Sequence, residues 1–435
     1  MTMASTPEHV AQILLSRHSL DLVSCKTLQT LWAGYGQICA IKARATTDAA
    51  AKHVSALCGA ETTGSAGSTY PLILKLISPP PLRKGAGGQE VEKDEGHLRK
   101  MLSYEVELHF YADVVPLLGD DIAVAKCLTS TRDGVRPGEG KEEEEELRGL
   151  MAIVMADLRP RFPVAGGKRS ALDCVQVRGA LEWLARFHAR SWGLLRRGDD
   201  GDERGAYLLP PLEESKRRRG KDAVGGSKLW LNGGYTYLAT RRTEYASLAE
   251  DSYSEWSDAM CRVPEGSAMS IAEMAALVLT PCGRPVESYI HGDVKSENLF
   301  TTTKGDEVAF FDFQYVGLGL GVCDLAKLFT CSVPLHMLLD DDVDEPLPEE
   351  LTIRDGERDL LERYRQSLLC NEKSGHYEWE DFKRHWETAL VDWCRFQASW
   401  GFWGNTEWLE ARVRSILSDP TWKDWLDQSV GSRVG

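Results

Sequence analysis

Residues 291–314, HGDVKSENLFTTTKGDEVAFFDFQ, carry two short acidic motifs on either side of an apolar run. Asp293 and Asn298 stand five positions apart in the first motif, and Asp312 opens the second. The run LFTT, the turn TKGDE and the run VAFFDFQ read as a β-hairpin, whose strands return Asp312 to the loop bearing Asp293 and Asn298. Two carboxylates and one amide oxygen then meet. Magnesium takes hard oxygen ligands, commonly one or two carboxylates together with substrate phosphates. Asn298 and Asp312 suit that role, and Asp293 is left to accept a hydroxyl proton as a nucleophile attacks the γ-phosphate of ATP. Each residue alone reads as a turn former, since Asp, Asn and Gly dominate turns. Their joint spacing around a strand points to phosphoryl transfer.

The elements that must position this constellation follow from the rest of the chain. At 435 residues the chain exceeds one small core, so two lobes are expected. Residues 7–20 read as a short amphipathic helix, and KTLQTLWAGYGQICAIKARA as a hairpin about AGYG. Residues 46–70 are loop-like with room for a helical piece, and PLILKLIS (71–78) is an apolar strand with one lysine, Lys75. A Pro-, Gly- and charge-rich insertion covers 79–97. Leu102, Val106, Phe110 and Val114 then recur every fourth residue along a helix. KEEEEE (141–146) is a solvated charge run, and LMAIVM (150–155) a buried strand. From there the pattern is mostly helical. GDDGDERG and EESKRRRGKDAVGG interrupt it as low-complexity stretches expected to be flexible. The basic KRRRGK reads as solvated surface in preference to a nuclear localisation signal. The fold class is therefore α+β and bilobal, with a β-rich lobe over 1–155 and a helical lobe over 156–435.

Bulk properties exclude several partners. A formal charge of −15 disfavours nucleic acid and an electrostatic membrane anchor. No apolar run approaches a membrane-spanning length. Eleven scattered cysteines without a CxxC pair suit a reducing, cytoplasmic setting.

HGDxxxxN followed by a hydrophobic strand and DFQ resembles the aminoglycoside phosphotransferase and choline kinase group. DFQ, the ELHFY helix and LARFHARSW look most like its ecdysteroid-kinase-like branch. The resemblance runs over nearly the whole chain and implies a protein-kinase-like fold, with Asp293 as base and Asn298 and Asp312 as magnesium ligands. Such a fold needs a lysine on its third strand to hold the α- and β-phosphates, paired with a glutamate from the next helix. Lys75 fits, because a lone charge within an apolar strand is costly. Glu105 and Glu107 are both candidate partners and cannot face the same way. Glu107 is preferred, since it precedes Phe110 and Tyr111 with the family's E-x-x-F-Y spacing. AGYG would cover the phosphates through Gly34 and Gly36, although Cys39 stands where a third glycine might be and a plain hairpin turn is an equal reading. ADL (156–158) resembles the family's hinge, where the backbone of Ala156 and Leu158 would read adenine.

DVKSEN also resembles the D-x-K-x-x-N of serine/threonine kinases, so Lys295 would steady the γ-phosphate, with an exposed, solvated lysine as an equal reading. Two departures speak against a protein substrate: Gly292 stands where many regulated protein kinases have arginine, and the connection from Gln314 to Asp324 is too short for an activation segment. The resemblance makes Asp324 a buttress of the catalytic loop, with an ordinary helix cap as the alternative. His188 reads as a packed structural histidine. Trp386, Trp393, Trp400 and Trp403 lie on roughly one helical face, as core or as an aromatic cage for a cationic acceptor. The expected partner is a small hydroxylated metabolite. A protein kinase and an inactive kinase-like binding protein are the competing readings.

Overall fold

The computed structural model describes residues 6–60, 64–80, 95–132, 146–147, 149–195, 207–219, 228–339, 346–371 and 376–434. The stretch GDDGDERG, all but one residue of KEEEEE and most of the 79–97 insertion lie outside them. The chain divides into two compact units, one of residues 1–119 and 124–161 and one of residues 120–123 and 162–435.

In the first unit, helix α1 (Pro7–Ser16) starts where Thr6 Oγ1 accepts the His9 N–H and Pro7 supplies a preset φ. Strands β1 (Leu20–Thr30) and β2 (Gly36–Ala45) form the hairpin about AGYG. Helix α2 (Asp48–Leu57), capped by Thr47, fills the stretch expected to be mainly loop. Strand β3 (Thr69–Ile77) follows, then helix α3 (Glu95–His109), which continues through a π turn at Phe110–Val114 into α4 (Val115–Leu118). Strands β4 (Cys127–Ser130) and β5 (Met151–Ala156) complete an antiparallel sheet of order β1-β2-β3-β5-β4. Leu72, Leu74 and Leu76 of β3 join Val10, Leu14, Ala51, Val54 and Val154 in one apolar core. Side chains alternate along a strand, so Lys75 points to the other face.

The second unit is mostly helical. Strand β6 (Val164–Ala165) precedes the long helix α5 (Cys174–Leu195) and helix α6 (Pro211–Arg219). Helix α6 corrects the expectation of flexibility: its buried Glu214 accepts from Arg217 (2.9 Å) and Arg218 (2.9 Å), so two of the four basic residues of KRRR are engaged within the fold. The remainder of that low-complexity stretch lies outside the described residues. Helices α7 (Arg242–Glu250) and α8 (Ile271–Leu279) follow, the latter opened by a reciprocal Ser270/Glu273 capping box. Strand β7 (Glu287–Ile290) leads into the acidic loop, β8 (Leu299–Thr301) and β9 (Val308–Phe310) form the expected hairpin, and β10 (Gly317–Leu320) pairs back on β7. Helices α9 (Val322–Cys331), α10 (Asp355–Cys370), α11 (Trp379–Trp400), α12 (Thr406–Ser418) and α13 (Pro420–Val434) complete the unit. Glu357 of α10, buried, accepts from Arg412 of α12 at 2.9 Å and from the Trp386 indole of α11 at 2.8 Å, which fixes three helices through one carboxylate. The architecture is thus α+β, an antiparallel sheet unit followed by a helical unit. No helix of the described residues is long and apolar enough to cross a membrane.

Candidate active site

The acidic loop is fastened from beneath. Asp324, fully buried in the first turn of α9, accepts the His291 N–H on Oδ2 (2.6 Å) and the Gly292 N–H on Oδ1 (2.9 Å). Its Oδ2 also meets His188 Nε2 at 3.2 Å, and His188 Nδ1 meets the Tyr364 hydroxyl at 2.7 Å. Burial alone would raise the Asp324 pKa. Hydrogen bonding from His188, with the charges of His188, Lys327 and His291, outweighs burial and holds it below the ordinary carboxylate value. Lys327, one helical turn on, donates to the Gly292 carbonyl at 2.6 Å. Gly292 itself has φ +83°, and a Cβ there would lie 2.3 Å from the Tyr315 carbonyl oxygen. Only glycine fits this backbone, which is why no arginine occupies the position.

The loop is next tied to the hairpin. The Asp293 N–H donates to His291 Nδ1 (3.2 Å), which leaves His291 Nε2 to carry the proton and donate it to the Phe311 carbonyl (3.0 Å). Burial pushes the His291 pKa below its ordinary value against the pull of Asp324, Asp293 and Asp312, in keeping with a neutral ring. The Phe311 N–H donates to the Asn298 carbonyl at 3.0 Å, so Asp312 follows directly on a residue anchored to the loop. Asp312 has φ +67°, an uncommon conformation for a residue with a side chain, and accepts from Gln314 Nε2 at 2.7 Å.

Asn298 is buried and uses its amide nitrogen on the Asp293 carbonyl (2.8 Å) and on Asp293 Oδ2 (3.1 Å). With Nδ2 so engaged, its Oδ1 is the atom left to face a cation. Lys295 Nζ lies 3.0 Å from Asp293 Oδ2 and 3.2 Å from Glu297 Oε1. Burial works against its charge, but the two carboxylates raise its pKa above the ordinary lysine value. The structure therefore brings Asp293, Lys295, Asn298 and Asp312 into one neighbourhood.

In the first unit, Lys75 Nζ donates to Glu107 Oε2 at 2.5 Å, with both side chains buried, and lies 5.6 Å from the centre of the Tyr104 ring. Glu107, not Glu105, makes the pair. Gly36 has φ +142°, and a Cβ would come within 2.0 Å of the Leu76 carbonyl oxygen, so β2 and β3 can cross there only with glycine. Gly34, at φ +74°, follows Ala33 in the turn. The turn's aromatic residues dock on α3: the Tyr35 hydroxyl meets His97 Nδ1 at 2.7 Å, and Lys100 Nζ stands 4.4 Å and 4.6 Å from the Trp32 and Tyr35 ring centres. At the ADL segment the Ala156 N–H donates to the Lys126 carbonyl and the Leu158 carbonyl accepts from Arg161.

The tryptophan stripe divides. Trp386 and Trp393 are core, whereas Trp400 is 49% exposed at the end of α11, and Trp403 lies beyond the helix, which Gly401 ends at φ +127°.

A match to the model of the ecdysteroid kinase-like family spans residues 89–345. The chain belongs to that family. The match takes in Glu107, the ADL segment and the whole acidic loop, while Lys75, Gly34 and Gly36 precede it. Among curated proteins none matches. Among solved structures, similarity extends to the macrolide 2′-phosphotransferase MphH of Brachybacterium faecium, at 13% identity over 94% of this chain and 98% of that one, with a TM-score of 0.38. It extends also to a Plasmodium vivax ethanolamine kinase, at 11% identity over 93% and 84% of the respective chains, with a TM-score of 0.35.

Residues that this family member uses to build its loop, but that their types alone did not mark, are His291, Glu297 and Lys327. His291 stands in the quoted motif, yet only the tertiary contact to the Phe311 carbonyl shows what its ring does. No group of three or more His, Cys, Asp and Glu side chains among the described residues could hold a metal ion. A mixed amide and carboxylate pair such as Asn298 and Asp312 is a different donor set, all hard oxygen, and fits magnesium completed by phosphate and water.

Proposed function

We propose that the protein is an ATP-dependent phosphotransferase that moves the γ-phosphate to a hydroxyl of a small metabolite. The observation that carries this reading is Asn298, whose Nδ2 is spent on Asp293, leaving its amide oxygen in the loop that the Phe311 N–H, next to Asp312, is bonded to. Family membership supports it independently. Lys75, steadied by Glu107, holds the α- and β-phosphates, with Gly34 and Gly36 letting the turn backbone approach them. The Ala156 carbonyl and the Leu158 N–H read adenine. Asn298 and Asp312 would hold magnesium, which offsets phosphate charge when bound. Asp293 takes the proton of the acceptor hydroxyl as its oxygen attacks the γ-phosphorus, the bond to the bridging oxygen breaks, and ADP leaves with that oxygen's electron pair. Lys295, shared between Asp293 and Glu297, stays cationic and steadies the transferring phosphoryl group.

A small acceptor is favoured over a peptide because the chain between Gln314 and Asp324 is spent on β10, which pairs with β7, and on the start of α9. No length is left there for a peptide platform. Eleven free thiols support a reducing, cytoplasmic setting.

Titrating Mg·ATP calorimetrically into wild type and Asp312→Ala tests the reading, with labelled-ATP screening of a metabolite pool as the activity arm. Wild type should bind nucleotide in a magnesium-dependent way and the variant should lose that dependence. Equal affinity and equal magnesium dependence in both would reduce Asp312 to a turn residue.

A further inference from the structure

Beside the acidic loop lies an aromatic surface that the proposed transfer step does not use. The Tyr235 N–H donates to the Gly292 carbonyl at 3.3 Å, one residue before Asp293. The Tyr235 ring meets Tyr315 edge-on at 4.9 Å between centres, Phe396 at 5.8 Å and Trp400 at 6.5 Å. Tyr235 and Tyr315 are half-buried, and Trp400 is half open to solvent. The neighbouring cavity, lined by Thr236, Lys327, Asp392 and Trp393 among others, has about 20 Å³. That is room for one water. An acceptor larger than water does not fit that cavity, and the aromatic surface is the face beside it.

A cation already occupies that surface. The Arg241 guanidinium, 1% exposed, lies 3.9 Å from the centre of the Tyr235 ring, 5.1 Å from Trp400 and 5.5 Å from Phe396. Its Nε donates to the Tyr235 carbonyl (2.9 Å) and its Nη1 to Glu244 (3.1 Å), while its Nη2 is buried with no partner among the described residues. A second buried guanidinium, Arg395, donates to the next carbonyl, Thr236 (2.7 Å), and to Asp392 (2.7 Å). The ring faces that would attract a ligand cation are thus engaged by the protein's own, and an unpaired donor waits behind them.

We infer that Arg241 sets acceptor specificity: the site takes uncharged, oxygen-bearing alcohols and rejects cationic amino-alcohols. The inference rests on the phosphotransfer reading for its site and reverses what the acidic net charge by itself would favour. A cationic acceptor would face Arg241 across rings whose attraction is already used. A neutral one gains apolar contact with Trp400 and meets no such repulsion.

The test compares choline with its uncharged isostere, in which a tert-butyl group replaces the trimethylammonium. Binding is read by tryptophan fluorescence and calorimetry with and without Mg·ATP, and transfer by labelled ATP. Wild type is expected to prefer the isostere by about tenfold, the scale of one cation–π contact. Arg241→Met should abolish or invert that preference, and Arg241→Lys, which keeps the charge, should retain it. Equal or better use of choline by wild type, binding of neither probe, or an unchanged ratio in a folded Arg241→Met would overturn the inference. Should the methionine variant fail to fold, Trp400→Ala decides: selective weakening of isostere binding supports the site, and no change in either probe overturns it. The selected binding ratio without any phosphate transfer would instead overturn the phosphotransferase reading and leave the selectivity of Arg241 standing.

Discussion

Lys75–Glu107 and Asp293–Asn298–Asp312 hold charge in opposite ways. The first pair joins residues 32 positions apart and is sealed between β3 and α3, with side chains 5% and 2% exposed. The second group comes from one short stretch, and its Asp293 and Lys295 side chains keep 22% and 29% of their surface. A sealed ion pair is bound up with stability, because removing one partner strands a buried charge. A half-open cluster resting on backbone anchors can lose a functional group and still fold. On the proposed function, the sealed pair would serve nucleotide holding and the open cluster proton transfer.

Breaking the open cluster should give the largest effect. Asp293→Asn is expected to lower phosphate transfer by about 10²–10⁴-fold, the usual worth of a general base. Its melting temperature and nucleotide affinity should stay near wild type, since the loop anchors are Asp324, His291 and Lys327. Near-normal turnover of the true acceptor would remove Asp293 from the base role. A melting point that collapses would mean that the cluster is as structural as the sealed pair.

The sealed pair should answer the other way. Glu107→Ala leaves Lys75 buried beside Tyr104 without its carboxylate and should cost about 3–5 kcal/mol in chemical unfolding. The double change Lys75→Met with Glu107→Leu should recover most of that stability while nucleotide binding stays lost. An unchanged unfolding midpoint in Glu107→Ala would erase the contrast between the two regions.

Acid should sharpen the contrast by a smaller amount. His291 is held below its ordinary pKa of 6.5, and burial together with the charges of Arg284 and Arg433 pushes His385 down to about 3. Below pH 6.5 the unfolded chain binds protons at these rings and the folded chain does not, so stability is full above that pH and falls as pH drops beneath it. Each ring contributes at most about 1.4 kcal/mol per pH unit. Urea titrations at neutral and mildly acid pH, on wild type and His291→Gln, should show a shallower decline in the variant. Identical pH slopes would mean that the His291 ring is not what ties loop to hairpin.

How much of this is legible before folding depends on the range of the contacts. Alternation along β3 opposes Lys75 to Leu72, Leu74 and Leu76, and the turn between β8 and β9 returns Asp312 to Asn298. Both are consequences of backbone geometry over a few residues. The helix α6 was obscured by its composition: four consecutive basic residues look solvated unless one knows that Glu214 is buried against them.

By itself the sequence determined the acidic loop, its hairpin, the strand lysine and the family, because each rests on spacing along the chain. The preference for Glu107 over Glu105 came from spacing, and the tertiary structure turned it into a contact, since α3 presents Glu107 to Lys75 of β3. The tertiary structure alone showed Asp324 gripping two successive N–H groups, and Gly292 in a space where any side chain would strike the Tyr315 carbonyl. It also decided what the tryptophans do: Trp386 spends its indole on Glu357, and Trp400 meets a cation from a segment more than a hundred residues away in sequence. Such choices among chemically equal side chains are made by packing, and packing joins residues that no local pattern relates.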